Sequence, residues 1–340
     1  FFTSGSTESL NMTIKGLADN LSHKGKHIVT VSTEHAAVLD PLKWLSKKGF
    51  EIEALNVNEF GLLDVDQLGD AIRDDTIMVV IMWANNETGV LHDVKAIGEI
   101  CRHKNVAFVC DATQAAGKLI INAIETGIDI LALSAHKFYG PKGTGAMYIA
   151  KNEKKLQPAA LIHGGGHENG YRSGTLNVPG IVGLGKAAEI GKHELESDIK
   201  RARVLRDGFE KDLLENCEHV DINGGIEHRL ETVSNIKVAH VDSQAIMTKL
   251  RSRISISSGS ACSSADPAPS HVLLAMGLGP AEAKGSFRIS FGRQTTVEEA
   301  SFAAECLVAA IQEYREQSPV WQMFKQGIDI GEDSSRELRR

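Results

Sequence analysis

Lys137 stands in the stretch Ser134-Ala-His-Lys-Phe-Tyr-Gly-Pro-Lys142, straight after an apolar run at 128–133 that reads as a buried strand. Ligands of open α/β sheets bind at the carboxyl ends of strands. An amine at such an end can condense with a carbonyl, and the neighbouring hydroxyl of Ser134 and imidazole of His136 can hold a phosphate. That set suits a Schiff base to pyridoxal phosphate. By itself, a lysine after a strand reads as a solvated surface charge. A second feature shifts the balance. One β-α unit upstream, the strand-like run at 106–110 ends in Asp111-Ala-Thr-Gln114. A carboxylate there can face a pyridine nitrogen and keep the ring protonated, so that it acts as an electron sink. Asp111 alone reads equally well as a helix N-cap. Lys137 and Asp111 together favour the cofactor.

Further motifs run along the chain: Thr33-Glu-His35, Asn85-Asn-Glu-Thr-Gly89, His163-Gly-Gly-Gly-His167, Arg172-Ser-Gly-Thr175, Ser257-Ser-Gly-Ser-Ala-Cys262 and Ser286-Phe-Arg288. With the two stretches above, in this order and at these spacings, the sequence resembles the cysteine desulfurases. These form a group within the class V branch of the fold-type I pyridoxal phosphate enzymes, and the likeness is strongest to the branch serving iron–sulfur cluster assembly. It extends from Thr3-Ser-Gly-Ser-Thr-Glu8 to Ser318-Pro-Val-Trp321.

The resemblance implies a role for each matching residue. Lys137 carries the cofactor, Asp111 meets its ring nitrogen, and His35 stacks on the ring and shuttles protons. Asn86 and Gln114 contact its phenolic oxygen, and Asn86 also contacts substrate. Thr7, Ser134 and His136 hold the phosphate. Thr7 also follows Gly5-Ser6 at an expected helix start, where backbone amides favour anions; its plainer reading is an N-cap. Thr175 matches a threonine that reaches the phosphate of the neighbouring subunit, which implies a homodimer. Arg288 matches a clamp on the substrate carboxylate, a task that suits arginine's planar fork. Without the family match, His35 and Arg288 read as surface or capping residues, and Asn86 and Gln114 as turn residues.

Cys262 supplies the other half of the expected chemistry. Its neighbours are serines, glycine and alanine, a composition that suits a mobile loop better than a core. Cys110, Cys217 and Cys306 read instead as small buried hydrophobes. The resemblance implies conversion of L-cysteine to L-alanine. The sulfur then passes as a persulfide on Cys262 to a cluster-scaffold protein and other acceptors, tRNA thiolation included. Two other readings stay open: a different enzyme on the same cofactor, such as a selenocysteine lyase or an aminotransferase, and a truncated remnant that dimerises without catalysis. His163 and His167 lack a helix to align them and a thiol or carboxylate nearby, so a glycine-rich turn is expected there and no metal. Gly140-Pro-Lys-Gly-Thr-Gly145 lacks the closing Gly-Lys-Ser/Thr of a phosphate-binding P-loop.

These residues need a scaffold. Strand-like runs at 27–31, 51–57, 77–83, 106–110, 128–134 and 145–149 alternate with helical runs such as 36–48 and 94–104. This predicts an α/β fold with a doubly wound, mostly parallel sheet. A long helical run at 182–215 leads into a smaller α+β domain with strands at 233–238 and 287–291 and helices at 242–251 and 297–316. The expected division is a large cofactor domain at 1–195, a small domain bearing the cysteine loop at 196–330, and a charged, disordered tail at 331–340. The chain opens at Phe1 with no preceding strand in its pattern, whereas the relatives carry several tens of residues more. An N-terminally incomplete chain is therefore expected, without a substrate-carboxylate contact drawn from that segment.

Composition sets the outer bounds. The 340 residues, 42% hydrophobic and 24% charged, suit a globular protein with a large core. A net charge of −7 gives no support to stable nucleic-acid binding. No apolar run approaches the ~18 residues of a membrane span. Five cysteines without paired spacing argue against a disulfide framework. A cytoplasmic setting is expected, with an organelle matrix fitting equally.

Overall fold

A computed structural model of the chain describes residues 1–152, 154–258 and 268–328. The chain forms two compact units, one of Phe1–Asn86 with Val90–Asp198, the other of Glu87–Gly89 with Ile199–Arg340.

The first unit contains β1 (Phe2–Thr3), α1 (Ser6–Leu21), β2 (His27–Val31), α2 (Ala36–Ser46), β3 (Glu51–Leu55), α3 (Val65–Ala71) and β4 (Thr76–Met82). It continues with α4 (Val94–His103), β5 (Ala107–Asp111), β6 (Ile130–Ser134) and β7 (Gly145–Ile149). Helix α5 (Val178–Asn216) contributes to both units. The seven strands lie in the order β1-β7-β6-β5-β4-β2-β3. The pairs β3–β2, β2–β4, β4–β5 and β5–β6 are parallel, and β7 runs antiparallel to β6 and β1.

Strands β2, β4 and β5 are buried throughout because helices cover both faces. Their side chains sort with the two-residue period of a strand. Ile28, Met78, Val80 and Val109 join the core containing Leu10, Ile14 and Leu42 of α1 and α2. Val29, Val79, Ile81 and Phe108 join the opposite core with Leu68 of α3 and Ile97 of α4. The chain moves outward from β2 to β3, then returns to the other side of β2 to form β4. That reversal is the switch point where open α/β sheets bind ligands, beyond the carboxyl ends of their strands.

The second unit holds a four-stranded antiparallel sheet in the order β10 (Ser257–Ser258), β11 (Ser286–Ser290), β9 (Val233–Val238) and β8 (Val220–Ile222). Around it lie α6 (Ser243–Leu250), α7 (His271–Ala275), α8 (Pro280–Lys284), α9 (Val297–Gln317) and α10 (Pro319–Lys325). Its core joins Phe209 and Leu213 of α5 to Ile236, Phe287, Leu307 and Ile311. A buried Arg229–Glu210 pair with two 2.7 Å bonds, joined by Ser234 at 2.6 Å, is its polar centre. No helix among the described residues is long and apolar enough to cross a membrane.

Three local expectations need correction. A strand does open the chain: Phe2 and Thr3 pair with Ala146 and Gly145 of β7. Two residues carry too little pattern to be read. The β-α unit expected between Asp111 and Lys137 has no helix; β5 and β6 are joined by turns. Gly117 and Gly127 sit at φ of 73° and 69°, and Asn122 accepts from the amides of Ile124 and Glu125, local bonds that compete with a helix. Asp111 therefore caps a turn. Helix α3, absent from the pattern reading, is capped by Asp64, which accepts from Asp66 N–H. The expected tail at 331–340 lies outside the described residues.

Candidate active site

The carboxyl ends of the parallel strands bring most of the predicted residues into one unit. Asp111 is the last residue of β5 and Ser134 the last of β6. Lys137 lies in a one-turn 3-10 helix, Ala135–Phe138, directly after β6, with its side chain exposed. The turn closes at Tyr139, held left-handed at φ 69°. His35 follows β2, and half-buried Asn86 follows β4.

Asp111 is 5% exposed. Its two bonds, from the backbone N–H of Thr113 (2.9 Å) and from the Thr113 hydroxyl, both end on Oδ1. Oδ2 receives no bond among the described residues. Burial pushes the Asp111 carboxyl above the usual carboxylate range, while the Thr113 bonds and the His35 and Lys137 charges pull it back. A buried carboxylate with one oxygen open is matched to a cationic N–H donor.

Hydroxyls connect this carboxylate to the start of α1. Thr113 Oγ1 lies 2.6 Å from Ser6 Oγ, and Ser134 Oγ lies 3.0 Å from the same atom. The Ser6 backbone N–H donates to Ser134 Oγ at 2.7 Å. Gly5 is the N-cap residue of α1, with no side-chain cap bond. Helix α1 spans 16 residues, so its amino end carries unsatisfied N–H groups and a positive dipole end. A glycine is needed in β7 for this approach: a Cβ on Gly145 would lie 2.5 Å from Gly5 Cα. Thr7 is exposed and second in the helix, so it is not the cap. Ser6 and Thr113 were not singled out from sequence, although each adjoins or shares a motif with a chosen residue. Their hydroxyl type was the available signal.

His35 caps α2, its Nδ1 accepting from Ala37 N–H at 3.1 Å. In the neutral ring this acceptor role assigns the proton to Nε2. A cleft of about 290 Å³ opens here, lined by Thr7, Lys15, His35 and Asp40 among others. His136 is exposed, and desolvation followed by the nearby Lys137 and Lys142 charges depresses its basicity. The Gln114 side-chain oxygen Oε1 accepts from Lys118 Nζ at 2.6 Å. The Arg172-Ser-Gly-Thr175 loop is tied to α1 by an ion pair of 2.8 Å from Arg172 to Glu8, and Thr175 is exposed on it. His167 Nδ1 accepts from Gly174 N–H at 3.3 Å. Among the described residues no cluster of histidine, cysteine or acidic side chains could hold a metal.

In the second unit, Arg288 on β11 donates from Nε to Ser257 Oγ at 3.1 Å, its register partner on β10. Cys262 lies outside the described residues. The four other cysteines are buried. Burial pushes the Cys101 thiol up to about 12 and that of Cys110 well above its ordinary value, so neither supplies thiolate near neutral pH.

The first unit's groups fit pyridoxal phosphate. An open Asp111 oxygen answers the ring nitrogen, the hydroxyls at the amino end of α1 answer the phosphate, and Lys137 lies one turn past β6.

The sequence profile of the family described as "Aminotransferase class-V" matches residues 1–301. Over 329 residues the chain is 50% identical to cysteine desulfurase IscS of Neisseria meningitidis serogroup A, covering 97% of this chain and 81% of that protein. It is 48% identical to cysteine desulfurase IscS of Pasteurella multocida, with the same shares covered. A solved structure titled as a NifS-like protein superposes with a TM-score of 0.85 at 34% identity, covering 92% of this chain and 82% of that one.

Proposed function

The chain belongs to the class-V aminotransferase family, and from that premise we propose how its residues divide the work. It is a cysteine desulfurase dependent on pyridoxal phosphate, and its substrate is L-cysteine. When bound, the cofactor supplies an electron sink for charge that develops at the substrate α-carbon.

When the cofactor is bound, Lys137 would hold its aldehyde carbon, and Asp111 Oδ2 would hold its ring nitrogen. Ser6, Thr7 and Ser134 hold its phosphate at the amino end of α1, with His136 beside them. His35 covers the ring, while Asn86 and Gln114 serve the phenolic oxygen. Lys137 Nζ is the base placed for the α-proton of the substrate, and His35 Nε2 relays protons. Arg288 binds the substrate carboxylate through its fork of N–H donors. Cys262 Sγ attacks the substrate sulfur as a thiolate; the new S–S bond forms as the substrate's C–S bond breaks, the carbon takes the electron pair and a proton and leaves as L-alanine, and Cys262 keeps the sulfur as a persulfide. The observation that carries this reading is the placement of Asp111. It is a buried carboxylate, open on one oxygen and joined through Thr113 and Ser6 to a helix terminus built for an anion.

The protein works as a homodimer in the cytoplasm, with Thr175 reaching the partner's phosphate. Exposed Ile120, Ile124, Val178 and Val182 in the first unit are apolar surface suited to such an interface. A cluster-scaffold protein and further sulfur acceptors take the persulfide sulfur, the scaffold docking near the stretch at 318–329.

The test is Cys262→Ser, which keeps size and removes the nucleophile. The variant should bind cofactor and cysteine normally yet release no alanine. After incubation of the wild type with cysteine, mass spectrometry should find an added sulfur on the Cys262 peptide. Sulfur on Cys101, Cys110, Cys217 or Cys306 instead, or full turnover by the serine variant, would overturn the assignment. Sedimentation of the purified protein should show twice the chain mass.

A further inference from the structure

Glu34 lies between Thr33 and His35 in a motif whose histidine has an assigned part, yet Glu34 itself has none. It is 0% exposed. Its Oε1 accepts from the backbone N–H of Met82, the last residue of β4, at 2.6 Å. Met82 is the register partner of Asp111, and the next amide, Trp83 N–H, donates to the Asp111 carbonyl at 3.0 Å. Asn85 donates to the Thr33 carbonyl at 3.1 Å. The end of β4 is thus gripped from one side by the segment that leads to His35 and from the other by the strand that ends in Asp111.

We propose that Glu34 is a positioning residue that braces the end of β4 so that His35 and Asp111 keep their mutual placement. Its surroundings also keep the Glu34 carboxyl neutral. Two buried carboxyls close together do not both ionise. Asp111 has two donors from Thr113 and the Lys137 charge to favour its anion, so Asp111 takes the negative charge. Glu34 faces the Asp111 charge, with Cys110 also within electrostatic reach, and has the Met82 N–H on Oε1. Burial and the Asp111 charge therefore hold its proton on.

The inference rests on the Asp111 assignment above, and two variants separate the two ideas. Glu34→Gln keeps the length, the acceptor for Met82 N–H and the neutrality. Its kcat should stay within about threefold of wild type, the size of one modest hydrogen bond. A group whose pKa is raised on folding stabilises the fold fully below its unfolded value, roughly 4.3, and loses that contribution as pH rises. Thermal unfolding of the full chain, with and without cofactor, should therefore favour the glutamine variant increasingly. The gap in Tm should widen by about 2 °C per pH unit above that value. A gap constant with pH would mean that Glu34 is ionised and would overturn the proposal.

Glu34→Asp keeps the acid but shortens the brace. It should lower kcat about tenfold with little change in KM, in line with a small misplacement of catalytic groups. It should also alter the visible circular dichroism of the bound cofactor, which reports its orientation and which a merely structural role would leave unmoved. Wild-type dichroism and kcat in this variant would sink the positioning role. Were the wild type to bind no cofactor, the functional reading would fail, while the pH dependence of unfolding would still decide the state of Glu34.

Discussion

Two aspartates at opposite ends of the β5–β6 layer differ in a way that separates a site from a brace. Asp129 precedes β6 and is 3% exposed; Asp111 ends β5 and is 5% exposed. Around Asp129 every need is met within the protein. Its Oδ2 accepts from Phe108 N–H at 2.9 Å and from Lys154 Nζ at 2.6 Å, and its Oδ1 from Asn152 at 2.5 Å. Lys154 donates as well to the Val106 carbonyl at 2.6 Å. Among the described residues Asp111 has donors on Oδ1 alone, and burial raises its pKa. Equal burial with unequal satisfaction marks the second carboxylate as poised for something outside the protein.

Substitutions test this contrast. The largest effect belongs to Lys137→Ala, beside the open carboxylate. Turnover should fall roughly 1000-fold or more, the upper part of what a positioned proton-transfer group contributes, and the visible absorption of the bound cofactor should vanish. An unchanged spectrum and rate would place the cofactor elsewhere. Next comes Asp129→Asn, which leaves the partly buried Lys154 ammonium without its anion. Breaking such a pair costs about 3–5 kcal/mol, so denaturant unfolding should show a lower midpoint while the folded fraction keeps near-normal turnover.

Asp111→Asn should do the reverse. Turnover should drop roughly 100-fold, as for loss of a catalytic electrostatic partner, with the fold retained. The cofactor-free variant should gain stability relative to wild type as pH rises. The raised carboxyl stabilises the fold fully below its unfolded pKa, about 3.9, and that contribution is lost as pH climbs through the folded value. Near-normal alanine production would remove Asp111 from the chemistry. The smallest effect should come from Thr113→Val, which keeps the backbone bond to Oδ1 but removes the hydroxyl between Asp111 and Ser6. A loss of about 1 kcal/mol, five- to tenfold in cofactor affinity, is expected by equilibrium dialysis.

The sequence by itself determined the fold class and placed the candidate site residues at strand ends, because both are local in physical origin. Apolar runs alternating with helical patterns specify a covered parallel sheet. Lys137, Asp111, Ser134 and His35 sit at or just past strand ends, and strand ends are legible from where apolar runs stop. Only the tertiary structure decided which groups meet. Ser6 and Ser134 are 128 residues apart, and Thr113 and Ser6 are 107 apart, so no spacing rule could pair those hydroxyls. The same holds for Glu34 and the Met82 amide, and for Asp129 with Lys154. The strand β1 and the helix-free connection from β5 to β6 were hidden for a related reason. A two-residue strand exists only through β7, and turns set by Gly117, Asn122 and Gly127 outweigh the local propensity around them. Charge state was hidden too, since two carboxyls in one chain become unlike only when burial and neighbours make them so.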